Sequence, residues 1–290
     1  MMRYLVTGAR GMLGSDLVAV LADRDVTGLG SAELDVTDRA AAIAAVRGYD
    51  VVINAAAYVR VDDAETNEAE ATAVNGVGAE NLAVAAREAG AKLVQVSTDY
   101  VFDGSATSPY PETEPLAPLG AYGRSKAEGE RRVLAAHPEG SYIVRTAWLY
   151  GRNGASFPRT MLSLAASRPT VSVVADQFGQ PTWTLDLARQ IVALVDADAP
   201  VGAYHGTNSG ETSWFDFARA TFAENGLDPE RVLPTTSAEF VRPAPRPSYS
   251  VLGHGAWRAA GLAPMRPWRE ALAEAVSSGA VVPSGAVGTA

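Results

Sequence analysis

Residues 4–14, YLVTGARGMLG, decide the fold of this chain. An apolar run predicts a buried strand, and three glycines follow it directly, ahead of a segment with helical spacing. Gly8 allows the tight turn off the strand, Gly11 lets a pyrophosphate approach the backbone, and Gly14 lets the helix pack closely on the sheet. The start of the helix adds amides and a positive dipole end that favour phosphate. An ordinary glycine-rich turn is the alternative, but a position at the first strand–helix junction of an alternating chain favours a dinucleotide-binding loop.

Strands and helices alternate through the first 150 residues. Short apolar runs without polar alternation are typical of strands buried on both faces, and right-handed crossovers between them give a doubly wound parallel α/β sheet of the Rossmann type. We predict strands at 4–7, 25–29, 51–55, 93–97 and 142–145, and helices at 12–22, 37–47, 67–89 and 121–136. Residues 1–150 are therefore predicted to form the dinucleotide-binding domain.

The pattern loosens after residue 150. We predict that residues 151–278 form mainly a smaller α+β substrate-binding portion, from which late strands can return to the first sheet. The proline-rich stretch 241–247, VRPAPRP, is expected to be extended because prolines lack backbone donors. The small, turn-rich residues 279–290 predict a disordered tail. Helices are predicted at 155–167, 184–195, 213–225 and 267–277, and strands at 171–174 and 203–206.

Composition excludes several classes of function. The chain has 290 residues and a net charge of −9, from 24 basic and 33 acidic side chains, which argues against nucleic-acid and anionic-membrane binding. It has no cysteine, so disulfides and thiolate metal sites are excluded. It has no apolar run of the ~20 residues that a membrane span needs, and its N-terminus lacks the apolar stretch of a signal peptide. We expect a cytoplasmic protein without a nucleic-acid or membrane partner.

The end of the second predicted strand bears on the choice of cofactor. An acidic residue there binds the ribose 2′-hydroxyl of NAD and repels a 2′-phosphate. Residues 27–31 read TGLGS and contain no acid, whereas Arg10 in the glycine loop can meet a 2′-phosphate. These residues favour NADPH and leave NADH as the alternative. Asp35 and Val36 are predicted to contact the adenine, although Asp35 could instead cap a helix.

Tyr122 and Lys126 form the strongest catalytic pattern. Four residues apart on a helix, they share a face, and an ammonium nearby favours the phenolate and lowers the tyrosine pKa. Tyr122 can then donate a proton to a carbonyl oxygen as a hydride reaches the carbon, and Lys126 can hold the nicotinamide ribose. Thr98 ends a buried strand at the sheet edge where such folds bind ligands, so its hydroxyl can polarise the same carbonyl. A capping Thr98 beside an unrelated surface pair is the alternative.

These residues resemble the extended short-chain dehydrogenase/reductases, and more narrowly the dTDP-4-dehydrorhamnose reductase family. The resemblance covers about residues 2–277. The matching stretches are NAAAY at 54–58, STDYVFDG at 97–104, YGRSKAEGE at 122–130, RTAWLY at 145–150, FPRTML at 157–162, DQFGQPT at 176–182, GAYH at 202–205 and RPSYS at 246–250.

The resemblance implies roles for particular residues. The catalytic set would be Thr98, Tyr122 and Lys126, with Thr98 on the keto oxygen. The substrate, a dTDP-sugar, would contact Thr98, Asp99, Tyr100 and Trp148. The cofactor would contact Gly8, Arg10, Gly11, Met12, Leu13, Gly14, Asp35, Val36, Ala56, Ala57, Tyr58, Tyr122 and Lys126.

Some relatives bind magnesium through acidic residues at a dimer interface. Asp16 and Asp186 match two of those positions, but Ser277 and Ser278 stand where a third acid is expected. We therefore assign no metal site, and leave magnesium and a homodimer as open alternatives.

Three functional hypotheses follow from the resemblance. The first is reduction of the 4-keto group of dTDP-4-dehydro-L-rhamnose to dTDP-L-rhamnose by NADPH. The second is a related dTDP-4-keto-sugar reductase of antibiotic deoxysugar biosynthesis. The third, from another class, is a non-catalytic NADP-binding regulatory subunit. The intact set of Thr98, Tyr122 and Lys126 favours an enzyme.

Overall fold

A computed structural model describes residues 1–282 of the chain. Short 3₁₀ turns lie at Asp63–Glu65, Asp99–Val101 and Pro229–Arg231, and a π-helical turn at Ala73–Gly78. The strands are β1 (Arg3–Thr7), β2 (Asp25–Leu29), β3 (Val51–Asn54), β4 (Lys92–Thr98), β5 (Ser141–Thr146), β6 (Leu149–Tyr150), β7 (Val171–Val174), β8 (Phe178–Gly179), β9 (Thr182–Trp183), β10 (Gly202–His205), β11 (Thr212–Ser213) and β12 (Val232–Thr235). The helices are α1 (Met12–Val20), α2 (Arg39–Val46), α3 (Glu68–Thr72), α4 (Ala79–Ala89), α5 (Ala121–Ala136), α6 (Phe157–Ser167), α7 (Thr184–Asp196), α8 (Trp214–Glu224), α9 (Gly255–Ala259) and α10 (Trp268–Ser277).

The main sheet explains why the apolar runs carry no polar alternation. Within the described residues it has six strands, in the order β10-β5-β4-β3-β1-β2, and every pair is parallel. Helices cover both faces, so alternate residues of one strand enter different cores: Tyr4 and Val6 of β1 pack on one side and Leu5 on the other. The predicted doubly wound α/β fold is confirmed. The strand order reverses between β1 and β3, which is where such sheets bind ligands.

Residues before and after residue 150 both contribute to this sheet and to the helices that cover it. One face packs against α1 and α7, through residues such as Leu17 and Ile191, and the other against α2, α4 and α5, through residues such as Leu82 and Val133. The edge strand β10 comes from beyond residue 150 and pairs with β5.

The remaining elements form a second layer of structure beside the carboxyl end of the sheet. Helices α6, α8 and α10 pack around Phe217 and Phe222, and short paired strands such as β7 and β12 lie against them. Residues 241–247 contain no helix or strand, as predicted for a proline-rich stretch. Over residues 1–282, no helix is both long and apolar enough to cross a membrane.

Two predictions of local structure were wrong. The helix predicted over 67–89 is interrupted by the π-helical turn at Ala73–Gly78. Within this turn the Asn75 side chain forms hydrogen bonds with the backbone of Tyr58, in the segment after β3. The predicted disordered tail begins at Gly279, yet Ala280 and Val281 are buried. They belong to the hydrophobic cluster that contains Phe217 of α8 and Trp268 of α10. Their small apolar side chains still cover a hydrophobic surface. Residues 283–290 of that tail lie outside the described residues.

Candidate active site

The glycine loop between β1 and α1 is shaped by close backbone packing. Gly8 has a φ of +67°, and a Cβ on it would lie 2.6 Å from the backbone of Ala55 and Ala56. A Cβ on Gly14 would lie 2.1 Å from the Gly8 carbonyl oxygen, so α1 can start here only with glycine at that position. Gly11 is exposed, and no side chain caps the first amides of α1. The open Gly11 backbone and these amides fit a cofactor pyrophosphate.

The next two predicted contacts differ in what they can offer a ligand. Leu13 is buried in the core of the sheet, so its side chain is committed to packing and only its backbone is at the loop. Met12 is half-buried, and its side chain lies toward Gly154.

The end of β2 carries an acid that the sequence interpretation missed. Glu33 is three residues beyond Gly30, but a turn brings its carboxylate back, so that Oε2 accepts a hydrogen bond from the Gly30 amide at 2.7 Å. Its Oε1 accepts from Nη2 of Arg10 at 3.2 Å. The conclusion that no acid lies at this position is therefore wrong, because it considered only residues 27–31.

Asp35 and Val36 follow this turn and have separate surroundings. The exposed Asp35 carboxylate accepts hydrogen bonds from the amide and hydroxyl of Thr37, which lower its pKa. The residue that caps α2 is Asp38, which accepts from the amide of Ala41, so the capping alternative for Asp35 is wrong. Val36 is buried and packs close to Gly78.

Ala56, Ala57 and Tyr58 follow β3 at the reversal of strand order. The two alanines are half-buried, whereas Tyr58 is buried. Asn75, which the sequence analysis did not single out, fixes this segment: its Oδ1 accepts from the Tyr58 amide at 2.9 Å, and its Nδ2 donates to the Tyr58 carbonyl at 3.1 Å.

Asn75 also ties this segment to α5. Its Nδ2 lies 2.9 Å from the Ser125 hydroxyl, which donates to the Tyr122 carbonyl at 2.7 Å. One buried amide thus links the segment after β3 to the helix that carries Tyr122 and Lys126. Only the π-helical turn brings this side chain to Tyr58, and no pattern in the sequence marked it.

The structure brings Thr98 and Tyr122 together. Thr98 ends β4 beside Tyr122, and its hydroxyl donates to Oδ1 of Asp99 at 2.9 Å. Burial raises the pKa of Tyr122 to about 12, the Asp99 charge adds to the rise, and the Thr98 hydroxyl opposes it. The expected lowering of this pKa by Lys126 is not found. At neutral pH Tyr122 therefore holds its proton and can act as an acid.

Lys126 lies one helical turn further along α5, in buried surroundings. Its Nζ donates to the Val96 carbonyl at 2.7 Å. Burial lowers the pKa of Lys126 to about 8, against the opposing influence of the Glu130 carboxylate. Glu130 is itself paired with Arg145 at 2.8 Å, and both side chains are almost fully buried. Lys126 therefore lies among buried charged side chains, four residues after Tyr122 on α5.

Asp99 and Tyr100 extend the same site. Burial raises the pKa of Asp99 to about 6, opposed by the nearby Ser250 hydroxyl and by the hydrogen bond from Thr98. The Tyr100 ring meets the Tyr122 ring edge to face, with centroids 5.7 Å apart. The guanidinium of Arg246 lies 5.8 Å from the Tyr100 ring centre, which adds a positive charge that the sequence analysis did not assign.

Trp148 forms an aromatic surface after β5. It has a φ of +46°, a strained conformation for a residue with a side chain. Its ring stacks on Trp214, with centroids 3.5 Å apart, and a Cβ on Gly179 would lie 2.5 Å from it. A strained backbone that is held in place by tightly packed neighbours is typical of functional positions. Through this stack Trp214, which the sequence did not single out, supports a predicted substrate contact.

The two acids considered as magnesium ligands have other partners. Asp16 accepts a hydrogen bond from the Thr184 hydroxyl at 2.5 Å. Asp186 is held by Arg266 at 2.8 Å and by Asn208 at 2.9 Å. Among the described residues, no group of three or more metal-ligating side chains comes together.

Comparison with known proteins identifies the family of the chain. Residues 2–280 match the family profile of the RmlD substrate binding domain. A dTDP-4-dehydrorhamnose reductase of Streptomyces griseus is 52% identical over 280 residues, covering 94% of this chain and 92% of the relative. A dTDP-4-keto-6-deoxy-D-glucose reductase of Streptomyces niveus is 50% identical over 277 residues, covering 94% of this chain and 96% of the relative.

Solved structures resemble the whole chain. A dTDP-4-dehydrorhamnose reductase of Bacillus anthracis in complex with NADP has a TM-score of 0.92 at 39% identity, covering 96% of this chain and all (100%) of that one. The resemblance predicted from the sequence is thus confirmed, and the chain belongs to the RmlD substrate-binding-domain family, among whose relatives are dTDP-4-dehydrorhamnose reductases.

Proposed function

We propose that the chain reduces the 4-keto group of a dTDP-linked 6-deoxyhexulose with NADPH, and that its substrate is dTDP-4-dehydro-L-rhamnose, giving dTDP-L-rhamnose. The observation that carries the proposal is that Thr98, at the carboxyl end of β4, lies beside Tyr122 of α5, one helical turn from the buried Lys126. Such an arrangement suits carbonyl reduction, which needs a proton donor and a polarising hydroxyl at one oxygen.

The proposed reduction combines a hydride from the cofactor with a proton from the protein. When bound, the reduced nicotinamide supplies the hydride that reaches C4 of the sugar. Tyr122, protonated at neutral pH, donates its proton to the keto oxygen, so that a carbonyl becomes a hydroxyl. Thr98 can polarise the same oxygen by a hydrogen bond, and Lys126, on the same face of α5 as Tyr122, can hold the nicotinamide ribose. The glycine loop and the start of α1 hold the pyrophosphate of the cofactor.

Two relatives are named as reductases of other dTDP-linked sugars. The Streptomyces niveus reductase is 50% identical, and a probable dTDP-4,6-dihydroxy-2-methyloxan-3-one 4-ketoreductase of Streptomyces antibioticus is 52% identical, close to the values for the rhamnose enzymes. A ketoreductase of antibiotic deoxysugar biosynthesis is therefore the second candidate. Such an enzyme needs the same proton donor, so the sugar alone separates the two.

A non-catalytic NADP-binding subunit is the third candidate. It has no need for a proton donor, a polarising hydroxyl and a buried lysine in one place, and the chain keeps Thr98, Tyr122 and Lys126 together. A homodimer and a cytoplasmic location remain predictions from the sequence.

The test follows NADPH absorbance with purified protein and dTDP-6-deoxy-L-lyxo-4-hexulose, and identifies the sugar product. We expect NADPH consumption with dTDP-L-rhamnose as the product. Tyr122→Phe should keep cofactor binding and lose turnover. Tyr204→Phe, which removes a hydroxyl that donates to the Pro200 carbonyl at the β10 edge of the sheet, should keep both. A different product sugar would support the second candidate. NADPH binding without turnover of any keto sugar would contradict the enzyme assignment.

A further inference from the structure

Two buried side chains of opposite charge lie four residues apart on α5. Lys126 is 5% exposed and Glu130 1%, and side chains at this spacing are neighbours on a helix. A lysine and a glutamate placed in this way would ordinarily pair. Within residues 1–282, however, the Lys126 ammonium has its hydrogen bond to the Val96 carbonyl, at 2.7 Å, and none to Glu130.

The Glu130 carboxylate is held by donors from two strands. Nη2 of Arg145, on β5, donates to Oε2 at 2.8 Å, and Nε of the same residue lies 3.0 Å from Oε1 and 3.1 Å from Oε2. The hydroxyl of Ser97, on β4, also donates to Oε1. Both carboxylate oxygens are thus occupied, and a two-pronged contact with a guanidinium has a well-defined geometry.

The other edge of the Arg145 guanidinium is fixed as well. Its Nη1 donates to the Glu112 carbonyl at 3.0 Å and lies 3.3 Å from Nε2 of His205, on β10. Nδ1 of His205 lies 2.9 Å from the Gly253 carbonyl, so Nδ1 is the donor of the neutral ring and Nε2 accepts from Arg145. The guanidinium is therefore held between β10 and α5 and keeps the carboxylate beside it.

Other carboxylates on α5 and on the elements around it have their own partners. Glu65 accepts from the Ala121 amide, Glu68 pairs with Arg124, Glu80 and Glu128 pair with Arg132, and Asp99 accepts from Thr98. Burial lowers the pKa of Lys126, and the charge that opposes this lowering is that of Glu130. The position of the Glu130 carboxylate therefore decides the surroundings of the lysine.

We propose that Arg145 is a positioning residue for Lys126. By holding the Glu130 carboxylate, it prevents that group from closing an ion pair with the lysine ammonium. An ammonium has three donors, and one is used on the Val96 carbonyl, so the others stay available to a ligand. In the proposed function this ligand is the nicotinamide ribose, and the inference rests on that function for the identity of the ligand.

The consequence of losing Arg145 follows from the cost of a buried charge. A buried carboxylate without a partner is strongly destabilising. Lys126, one helical turn away, is a cation with which Glu130 can then pair. The ammonium would gain a strong hydrogen bond within the protein and lose the donors that it offers to a ligand. Removal of both Arg145 and Glu130 would leave no carboxylate to take up the lysine.

The first test titrates the lysines by NMR, in protein labelled with carbon-13 at the lysine ε-carbon and without cofactor or sugar. The chain has two lysines, Lys92 and Lys126, so the spectrum has two signals. For Arg145→Gln we expect the Lys126 pKa to rise by about one unit, because an opposite charge moves next to the ammonium. For Glu130→Gln we expect it to fall. Lys92, which is paired with Asp198, is the internal control and should not shift.

The second test measures NADP⁺ binding by calorimetry. Arg145→Gln should weaken binding about tenfold, which is the loss of one charge-assisted hydrogen bond. The double variant Glu130→Gln/Arg145→Gln should restore it, whereas a purely structural pair would leave the double variant at least as weak as the single one. If Arg145→Gln does not fold, Ser97→Ala takes its place in the titration, because it also removes a donor from Glu130, and should raise the Lys126 pKa.

An unchanged Lys126 pKa in the folded variant, or a double variant that binds NADP⁺ as weakly as Arg145→Gln, would overturn the proposal. Neither measurement needs turnover. A protein that meets both expectations but reduces no dTDP-linked keto sugar would contradict the proposed function and leave this inference standing.

Discussion

Burial shifts the pKa values of Tyr122 and Lys126 in opposite directions. Burial disfavours the charged form of each group, so it raises the pKa of the tyrosine to about 12 and lowers that of the lysine to about 8. The tyrosine is therefore a proton donor over the whole physiological range. The lysine, in contrast, loses its charge just above that range.

We predict that kcat falls as pH rises through about 8. Above that value Lys126 loses the ammonium charge with which, in the proposed function, it holds the nicotinamide ribose. The alkaline decline should move to higher pH in Lys126→Arg, because a guanidinium stays charged. Steady-state kcat between pH 6 and 10 (about two units on either side of the lysine pKa) checks this. An alkaline decline at the same pH in both proteins would show that another group causes it.

His205 gives a second prediction, for stability. Burial, and next the Arg145 charge, lower its pKa to about 3, whereas an unfolded histidine titrates near 6.5. Between these values the unfolded chain binds more protons, so the unfolding free energy falls as pH is lowered. His205→Gln should reduce this slope by up to about 1.4 kcal/mol per pH unit. Urea unfolding at several pH values between these limits measures it, and equal slopes in both proteins would contradict the assignment.

Helix α5 is positioned by contact with the π-helical turn at Ala73–Gly78. Gly129 of α5 lies against the backbone of this turn, where a Cβ would come 2.1 Å from the Asn75 carbonyl oxygen. Asn75 holds the segment after β3 on its other side. Helix α5 and the segment after β3 are thus set at a fixed distance by one glycine and one asparagine.

We predict that Gly129→Ala destabilises the fold and lowers kcat. The added methyl forces α5 away from the turn, and overpacking of this kind costs about 1–3 kcal/mol. The matched variant is Gly76→Ala in the turn itself, where a Cβ would meet flexible side chains at 3.4 Å and should be tolerated. Urea unfolding and kcat report the two effects. Equal behaviour of the two variants would show that this contact does not position α5.

The elements differ in how far the sequence determines them. The apolar runs of β1, β3, β4 and β5 could be predicted because a strand buried on both faces needs a continuous run. The predicted strand at 25–29 became the edge strand β2, which is only half-buried. The spacing of four residues was enough to place Tyr122 and Lys126 on the same face of a helix, and both lie on α5. Glu33 and Asn75 could not be placed from spacing, because a turn and a π-helical turn bring their side chains back to the site. Tertiary contacts of that kind leave no local pattern.

At the scale of the molecule, the proline-rich stretch 241–247 joins its two parts. Asp62, after β3, accepts hydrogen bonds from Arg242 at 2.5 Å, from Arg246 at 2.9 Å and from the Ala244 amide at 3.2 Å. Because Arg246 also lies beside the Tyr100 ring, this anchor places a positive charge at the predicted substrate site.

We predict that Asp62→Asn raises the KM for the dTDP-sugar more than it lowers kcat. The loss of the carboxylate loosens the stretch that carries Arg246, while Tyr122 and Lys126 are untouched. Stability should fall by only about 1 kcal/mol, since the arginines are partly exposed. Asp176→Asn, which loosens a contact with Ser237 within the second part, is the control and should leave KM unchanged. A fall in kcat alone would contradict the role of the anchor.

The central claim is that the chain moves a hydride to C4 of a dTDP-linked keto sugar while Tyr122 supplies the proton. The most direct test uses NADPH carrying deuterium at both C4 positions of its nicotinamide, with mass and NMR analysis of the sugar product. We expect a single deuterium at C4 of dTDP-L-rhamnose from the wild-type protein and no product from Tyr122→Phe. A product without deuterium at C4, or an equal yield from Tyr122→Phe, would contradict the mechanism.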